Sequence, residues 1–274
     1  MSFIATRLRP AALAAAALSA LVLAAGPVQA AGEAEHPIHP ENGWPFAGPL
    51  GRFDKASLQR GFQVYTQVCA ACHSMRLLHY RNLGDDGGPG YDEDEVKAIA
   101  ANYQVPAGPD EYGNEVDEYG QPLTRPARPE DRFKMPYPNE TAARAANGGA
   151  YPPDLSVITK ARHGGADYVY SLLQGYKEPP EDVELRAGAY YNIYFPGKQY
   201  AMPQPLYDDL IEYTDGTPAT IEQMSYDVTQ FLHWAAEPKM EERKKLGLMV
   251  MIYLSIFAVL LYLSYRRIWR NVDH

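Results

Sequence analysis

The sequence predicts a mainly α-helical domain with long irregular loops, followed by one C-terminal transmembrane helix. Three observations predict it. Apolar residues recur at helical steps in several stretches of the body, and none shows a convincing strand alternation. The 23 prolines, 22 glycines and 21 tyrosines of the 274-residue chain indicate long ordered loops rather than regular sheet. Residues 246–265, LGLMVMIYLSIFAVLLYLSY, run 20 positions without a charge, long enough to cross a bilayer as a helix. At 46% hydrophobic residues the chain is not disordered, and it shows no internal repeat or low-complexity linker.

Residues 1–30 read as a cleaved secretory signal. Arg7 and Arg9 precede an apolar run over residues 11–25, and Pro27 with Val28-Gln29-Ala30 supplies a small-residue cleavage pattern. The run is too short for an uncleaved anchor, since spanning takes about 20 apolar residues. Two arginines are few for an organelle transit peptide, so a bacterial export signal cut after Ala30 is expected. Residues 31–50, with four prolines and two histidines, read as an extended arm.

A helix follows. Leu58, Phe62, Tyr65, Cys69 and Cys72 recur at steps of 4, 3, 4 and 3, one helical face, with Asp54 as its N-cap. Residues 85–130 turn polar, with twelve Asp or Glu against Lys97, Arg125 and Arg128; that excess equals the net charge of −9, so the remainder is balanced. Residues 141–175 return to helical periodicity, with Tyr168, Leu172 and Leu173 on one face. Residues 188–206, GAYYNIYFPGKQYAMPQPL, form an aromatic loop punctuated by Pro and Gly. Val228, Phe231, Leu232 and Ala235 mark an amphipathic helix that stops or kinks near Pro238.

Basic residues flank the membrane segment on both sides: Arg243, Lys244 and Lys245 before it, Arg266, Arg267 and Arg270 after it. Positive-inside counting is therefore near a tie. The export signal breaks it, placing the body outside and the tail inside, with Tyr265 and Trp269 at the inner interface. The expected organisation is a signal over 1–30, a periplasmic domain over 31–240, an anchor with its basic entry over 241–265, and a cytoplasmic tail over 266–274. This is a single-pass protein of a bacterial inner membrane. Truncation after Pro238 is expected to release a soluble domain.

The only two cysteines lie in VYTQVCAACHSM, residues 64–75. Cys69, Cys72 and His73 spell C-x-x-C-H, the attachment pattern for c-type haem. Each thiol can add to one vinyl group, and the histidine can then reach the iron. Other readings compete less well. A zinc site wants four ligands, and no third cysteine exists. A thioredoxin-like pair expects alternating strands and helices. A disulfide closing so small a loop would contribute little.

A haem iron with one histidine stays open for small molecules or is closed by a second side chain for electron transfer. Met135 in FKMPYP and Met202 in QYAMPQP each precede a proline, which favours an extended loop. Met75 stands too near His73 to reach the opposite face easily; His79, His163 and His233 are histidine alternatives. Spacing does not choose between the two Met-Pro sites, and most methionines simply fill core gaps. His163, before Gly-Gly, reads as a surface or hydrogen-bonding residue, and His233 as a satisfied core histidine.

The segments ARAANGGAYPPDLSVITKARHGGADYVYSLLQGY, YYNIYFPGKQYAMPQPLYDDLIEYTDGTPAT and FLHWAAEPKMEERKKLGL closely resemble the cytochrome c1 family, the haem subunit of quinol–cytochrome c reductase. With CAACH and the tail anchor, the resemblance spans nearly the whole mature chain. It implies a cytochrome c-like haem domain carrying one covalently bound haem c. His73 and Met202 are the implied axial ligands, Met202 lying in the Phe-Pro-Gly…Met-Pro loop. Arg162 of Ala-Arg-His-Gly-Gly is the implied partner of a haem propionate, a role that suits a guanidinium. Asn147, Ala150, Pro152, Pro153, Ile158, Tyr168, Leu172, Leu173 and Phe195 match positions lining the family's haem pocket. Where the family commonly has Asn-Pro, this chain has Asn192-Ile193, which is expected to loosen the loop. Some bacterial members add a disulfide there; with no spare cysteine, packing alone must hold this one.

The implied role is one-electron relay. A Rieske iron–sulfur protein, oxidising quinol at cytochrome b, reduces the haem, and a soluble c-type cytochrome takes the electron away. The chain is then no enzyme on its own but the electron-transfer subunit of an oxidoreductase, with no nucleic-acid partner. Asp85, Asp86, Asp92, Glu93, Asp94 and Glu95, the acidic cluster nearest the attachment site in sequence, are expected to steer a basic cytochrome. Two alternatives remain: a free-standing membrane-anchored carrier, and a haem enzyme or gas sensor with an open iron.

Overall fold

Helix α1, Lys55–Gln67, starts where Asp54 accepts a hydrogen bond from the Ala56 amide. It buries Leu58, Phe62, Val64 and Tyr65 along one side. The computed structural model describes residues 33–271, so the expected signal over 1–30 lies outside the described residues, as do 272–274. The fold is mainly helical. After α1 come short 3-10 turns over Cys69–Ala71 and Tyr80–Gly84, helix α2 Glu93–Ala101, and the antiparallel pair β1 Gln104–Pro106 and β2 Thr124–Pro126. Helices α3 Glu140–Ala146, α4 Ile158–Ala161 and α5 Gly165–Gln174 follow. A second pair, β3 Tyr190–Tyr191 and β4 Gln199–Tyr200, precedes α6 Ile221–Ala236 and α7 Met240–Ile268.

The centre of the domain is α6, buried along most of its length and capped by Thr220, whose Oγ1 accepts from the Gln223 amide. It packs against α1, α4 and α5. Helices α1 and α6 cross at Gly61. A Cβ there would lie 2.1 Å from the Asp227 carbonyl oxygen and 2.7 Å from the Phe231 Cβ. Glycine is therefore what lets the two backbones meet. Beside the crossing, the fully buried Asp227 carboxylate accepts from Ser57 Oγ at 2.5 Å, Arg60 Nε at 2.9 Å and Gln223 Nε2 at 2.9 Å. Gln230 in turn donates to Ser57 Oγ at 2.6 Å. Burial opposes the Arg60 charge, but its bonds to Asp227 and Asp215 outweigh burial and hold the guanidinium more firmly protonated than usual.

Several features differ from the sequence reading. The expected continuous helix to Cys72 ends instead at Gln67, and the backbone tightens into a 3-10 turn in which the Cys72 amide donates to the Cys69 carbonyl at 3.1 Å. A 3-10 turn advances with fewer residues per turn, so the thiols leave the helical stripe that carries Leu58, Phe62 and Tyr65. The acidic stretch holds a helix, α2, opened by a reciprocal capping box between Asp92 and Glu95. It also holds a near repeat. Asp110 and Asp117 each begin an Asp-Glu-Tyr-Gly turn, with Asp110 Oδ1 accepting from the Tyr112 and Asn114 amides and Asp117 Oδ1 from those of Tyr119 and Gln121.

The amphipathic helix α6 stops at Ala236, before Pro238, and α7 begins at Met240. Its apolar length stands exposed, the one helix among the described residues long and apolar enough to cross a membrane. The first turns of α7, however, belong to the domain. Met240 is buried, Glu241 Oε1 accepts from the Phe53 amide at 2.8 Å, and Lys244 Nζ donates to the Phe46 carbonyl at 2.6 Å and that of Gly51 at 3.2 Å. A boundary at 240/241 cuts through these contacts.

Candidate functional site

The site grows from the turn that follows α1. The His73 amide donates to the Cys69 carbonyl at 2.8 Å, closing the Cys-Ala-Ala-Cys-His turn on itself. The His73 ring is fixed from the other side: its Nδ1–H donates to the Pro153 carbonyl at 2.8 Å. That bond assigns the tautomer and leaves the Nε2 lone pair as the ring's free donor atom toward a metal. Burial lowers the His73 pKa, so the imidazole is neutral at neutral pH.

The segment around Pro153 is zipped to the cysteine turn. Leu155 donates its amide to the Ser74 carbonyl at 2.8 Å, and Asp154 Oδ2 accepts from Ser74 Oγ at 2.7 Å and the Arg76 amide at 2.9 Å. The buried Ser156 hydroxyl accepts from the Leu77 amide at 3.1 Å. Pro152, Pro153 and Ile158 are thereby held beside the Cys-His turn. Asn147 ends α3, its side chain donating to the Ala143 carbonyl at 2.7 Å and to Tyr137 Oη at 3.1 Å, just before Ala150.

Arg162 ends α4, where Gly164 and Gly165 take positive φ angles of 85° and 58° and turn the chain into α5. Its charge is felt at the phenols of Tyr168 and Tyr200. Burial pushes both phenols up, Tyr200 to about 12, and the Arg162 charge opposes the rise. Among the described residues Arg162 forms no ion pair with a carboxylate.

The methionine loop is anchored to the end of α5. Asn192, fully buried, donates from Nδ2 to the Leu172 carbonyl at 2.8 Å and accepts the Tyr194 amide at 3.1 Å. The Phe195 ring stacks on Tyr200 at 4.3 Å, and the Tyr176 hydroxyl donates to the Met202 carbonyl at 3.1 Å. Ile193, expected to loosen the loop, pins it: its amide donates to the Gly175 carbonyl at 3.0 Å, a bond that proline could not make, and its carbonyl accepts from Glu35 at 2.9 Å. Leu172 is buried, while Leu173, Phe195 and Met202 are half-buried. Met135 belongs to a different segment and is 51% exposed.

The residues present fit a porphyrin with carboxylate arms. Two free thiols stand one turn before an oriented histidine, the implied pocket residues Ala150, Pro152, Pro153, Leu173 and Phe195 are apolar, and Arg162 offers a guanidinium without a carboxylate. The competing uses of the cysteines find less support. Burial pushes the Cys69 thiol up to about 12, the reverse of the lowered value that a redox dithiol needs. Among the described residues no group of three or more His, Cys, Asp or Glu could hold a zinc ion.

His233 lies apart. It stacks on Phe46 at 4.2 Å and meets Thr159 Oγ1 at 3.2 Å through Nδ1. Of the acidic cluster, Asp92 and Glu95 cap α2, Glu93 and Asp94 pair with Lys97, and Asp85 accepts from Asn82. These carboxylates thus have local structural work independent of any partner. Sequence reasoning missed Tyr176 and Asn192 as loop anchors. Asn192 stands just before the Phe-Pro-Gly turn, but Tyr176 lies 19 residues ahead of Phe195, so only coordinates reveal the pair.

A model of the family described as Cytochrome C1 family matches residues 44–272. The chain is 53% identical over 242 residues to "Cytochrome c1-2, heme protein, mitochondrial" of Solanum tuberosum, covering 88% of this chain and 89% of that protein. It is 44% identical over 270 residues to "Cytochrome c1" of Rhodospirillum rubrum, covering 93% and 95%. It is also 47% identical over 251 residues to "Cytochrome b/c1" of Bradyrhizobium diazoefficiens, covering 85% of this chain and 36% of that longer protein.

Proposed function

The chain belongs to the cytochrome c1 family, and from that premise we propose that it is the haem-bearing, membrane-anchored electron relay of a quinol–cytochrome c reductase. One covalently bound haem c would be held by Cys69 and Cys72, with His73 and Met202 on the iron and Arg162 on a propionate. Bound there, the haem supplies one-electron redox chemistry. The observation that carries the reading is the His73 Nδ1–H bond to Pro153 within a Cys-x-x-Cys-His turn.

The chain's own residues make the site selective. Pro153 keeps Nε2 unprotonated and aimed, as second-sphere partners of ligating histidines do. Asn192, Gly175 and Tyr176 fix the loop that carries Met202, which in this reading would supply the second ligand. The Met202 thioether would favour the reduced state of a bound haem, raise its potential and keep oxygen from the iron. Arg162 would neutralise one propionate. The apolar length of α7 supplies the anchor, with the domain periplasmic and the tail cytoplasmic, in the inner membrane of a bacterium.

The partners in this reading are cytochrome b, a Rieske iron–sulfur protein as donor, and a soluble c-type cytochrome as acceptor. The test is a reduced-minus-oxidised spectrum of the membrane fraction together with the subunits that co-purify. A c-type spectrum with a co-purifying b-type cytochrome is expected. A haem-bearing chain that purifies alone indicates a free-standing carrier, and rapid carbon monoxide binding to the reduced protein indicates an open-site enzyme or sensor.

A further inference from the structure

Met202 stands ten residues beyond Asn192, the position where its loop is fastened to α5, and an axial ligand at the end of such a loop needs a second fixed point. The chain has no third cysteine with which to make one. The base of the loop is well held: Asn192 bonds to the Leu172 carbonyl, and Ile193 bonds to Gly175. Tyr176 follows Gly175 directly and forms an antiparallel bridge with Asn192, so its backbone is part of that base. Its ring turns toward the far end of the loop, where the phenol donates to the Met202 carbonyl at 3.1 Å. One residue thus joins the root of the loop to the backbone of the ligand itself. At Gly175 a Cβ would come within 2.6 Å of both Asn192 Oδ1 and Tyr194 Cδ2, so only glycine lets α5 end this close to the loop.

We infer that Tyr176 is the positioning residue for the axial methionine, a strut that fixes the Met202 main chain against the end of α5. The inference rests on the assignment of Met202 as ligand. A phenol-to-carbonyl bond is a neutral hydrogen bond between fixed elements, and its loss leaves the ring packing intact in Tyr176→Phe. Removing it should weaken methionine ligation about fivefold, equivalent to roughly 1 kcal/mol at 1.4 kcal/mol per tenfold.

The experiment uses the full-length, haem-loaded chain in detergent. Three variants are compared with the wild type: Tyr176→Phe, Met202→Leu, and Tyr194→Phe, which removes a phenol of the same loop that does not meet Met202. The readouts are the reduction potential and the fraction of reduced protein that binds carbon monoxide. The expected result is a lowered potential and about fivefold more carbon monoxide binding in Tyr176→Phe, complete binding in Met202→Leu, and wild-type behaviour in Tyr194→Phe. A Tyr176→Phe protein indistinguishable from wild type beside a fully reactive Met202→Leu overturns the strut alone. Equal effects of Tyr176→Phe and Tyr194→Phe also overturn it, since they would reflect general loosening. A Met202→Leu protein that still excludes carbon monoxide overturns the ligand assignment, and the strut with it.

Discussion

Replacing Gly61 by alanine sets two magnitudes against each other. Alanine is the better helix former by about 1 kcal/mol, so propensity alone predicts a more stable α1. The crossing predicts the opposite. The new Cβ would sit 2.1 Å from the Asp227 carbonyl oxygen and 2.7 Å from its carbon, and both are main-chain atoms that no rotamer change can move. Carbon contacts are relaxed near 3.5–4.0 Å, so the helices must part by roughly 1 Å or more. That movement loosens the whole seam, in which Leu58, Phe62 and Tyr65 face Val228 and Phe231, and overpacking of this kind typically costs about 1–3 kcal/mol. With rigid backbone as the obstacle the upper end applies, and the propensity gain leaves a net loss of about 2 kcal/mol. For a domain of this size each kcal/mol lowers the melting temperature by about 2–4 °C, so a fall of about 4–8 °C is expected. Thermal unfolding of the full chain in detergent, followed by far-UV circular dichroism, measures it. Gly247→Ala is the control, because its Cβ meets nothing within 4 Å. A Gly61→Ala protein that melts at or above the wild-type temperature would refute the close-crossing argument.

Met202→Leu should open the iron, lower the potential and admit carbon monoxide, whereas Met135→Leu should leave the spectrum nearly unchanged; swapped phenotypes would reverse the ligand assignment. Asp227→Ala leaves Arg60 with Asp215 alone and takes the acceptor from Ser57 and Gln223, and should cost about 3 kcal/mol, with Arg60→Met in the same chain recovering part of the loss in denaturant titrations. Truncation after Lys245 should yield a stable soluble domain, while truncation after Pro238 removes Met240, Glu241 and Lys244 and should melt several degrees lower; equal melting would dismiss the α7 contacts as ornamental. Asp131 is held down to about 2, chiefly by hydrogen bonds from Arg125. Its folded value lies below the unfolded value of about 3.9, so its contribution is complete above that pH and is lost as pH falls toward 2. The stability gap between wild type and Asp131→Asn should therefore be clear at pH 7 and narrow between about pH 4 and pH 2 in parallel melts.

The parts of this fold that the sequence revealed are those written in local periodicity. Asp54 caps α1 as its position implies, the apolar face of α1 is buried, and the charge-free stretch lies within α7. The C-x-x-C-H turn was legible because three reactive side chains share five residues. Helix α2 was obscured by its own charge: four consecutive acidic residues read as a docking patch for a basic partner rather than as a helix start, although Asp92 and Glu95 stand at capping-box spacing. What stayed invisible is long-range and polar. Lys244 reaches the Phe46 carbonyl from 198 residues away, and Arg60 meets Asp227 across 167. No window of sequence contains both partners of such a bond. The Ile193 difference shows the related failure: losing a proline suggests a softer loop, until the amide it frees is found bonded to Gly175.

The joint between α7 and the domain has a kinetic meaning. A helix of 29 residues is about 44 Å long at 1.5 Å per residue, and its upper turns are hydrogen-bonded to the arm at Phe46, Gly51 and Phe53. A protein on a floppy tether would tumble, and each visiting partner would have to find the right face anew, which is a large part of why specific docking is slower than simple collision. With the stalk locked, this chain's share of that orientational search would be settled when it folds rather than at every encounter. If α7 spans a bilayer as proposed, the site would stand at one height and one heading above it, and the travelling would be left to whatever comes to meet it.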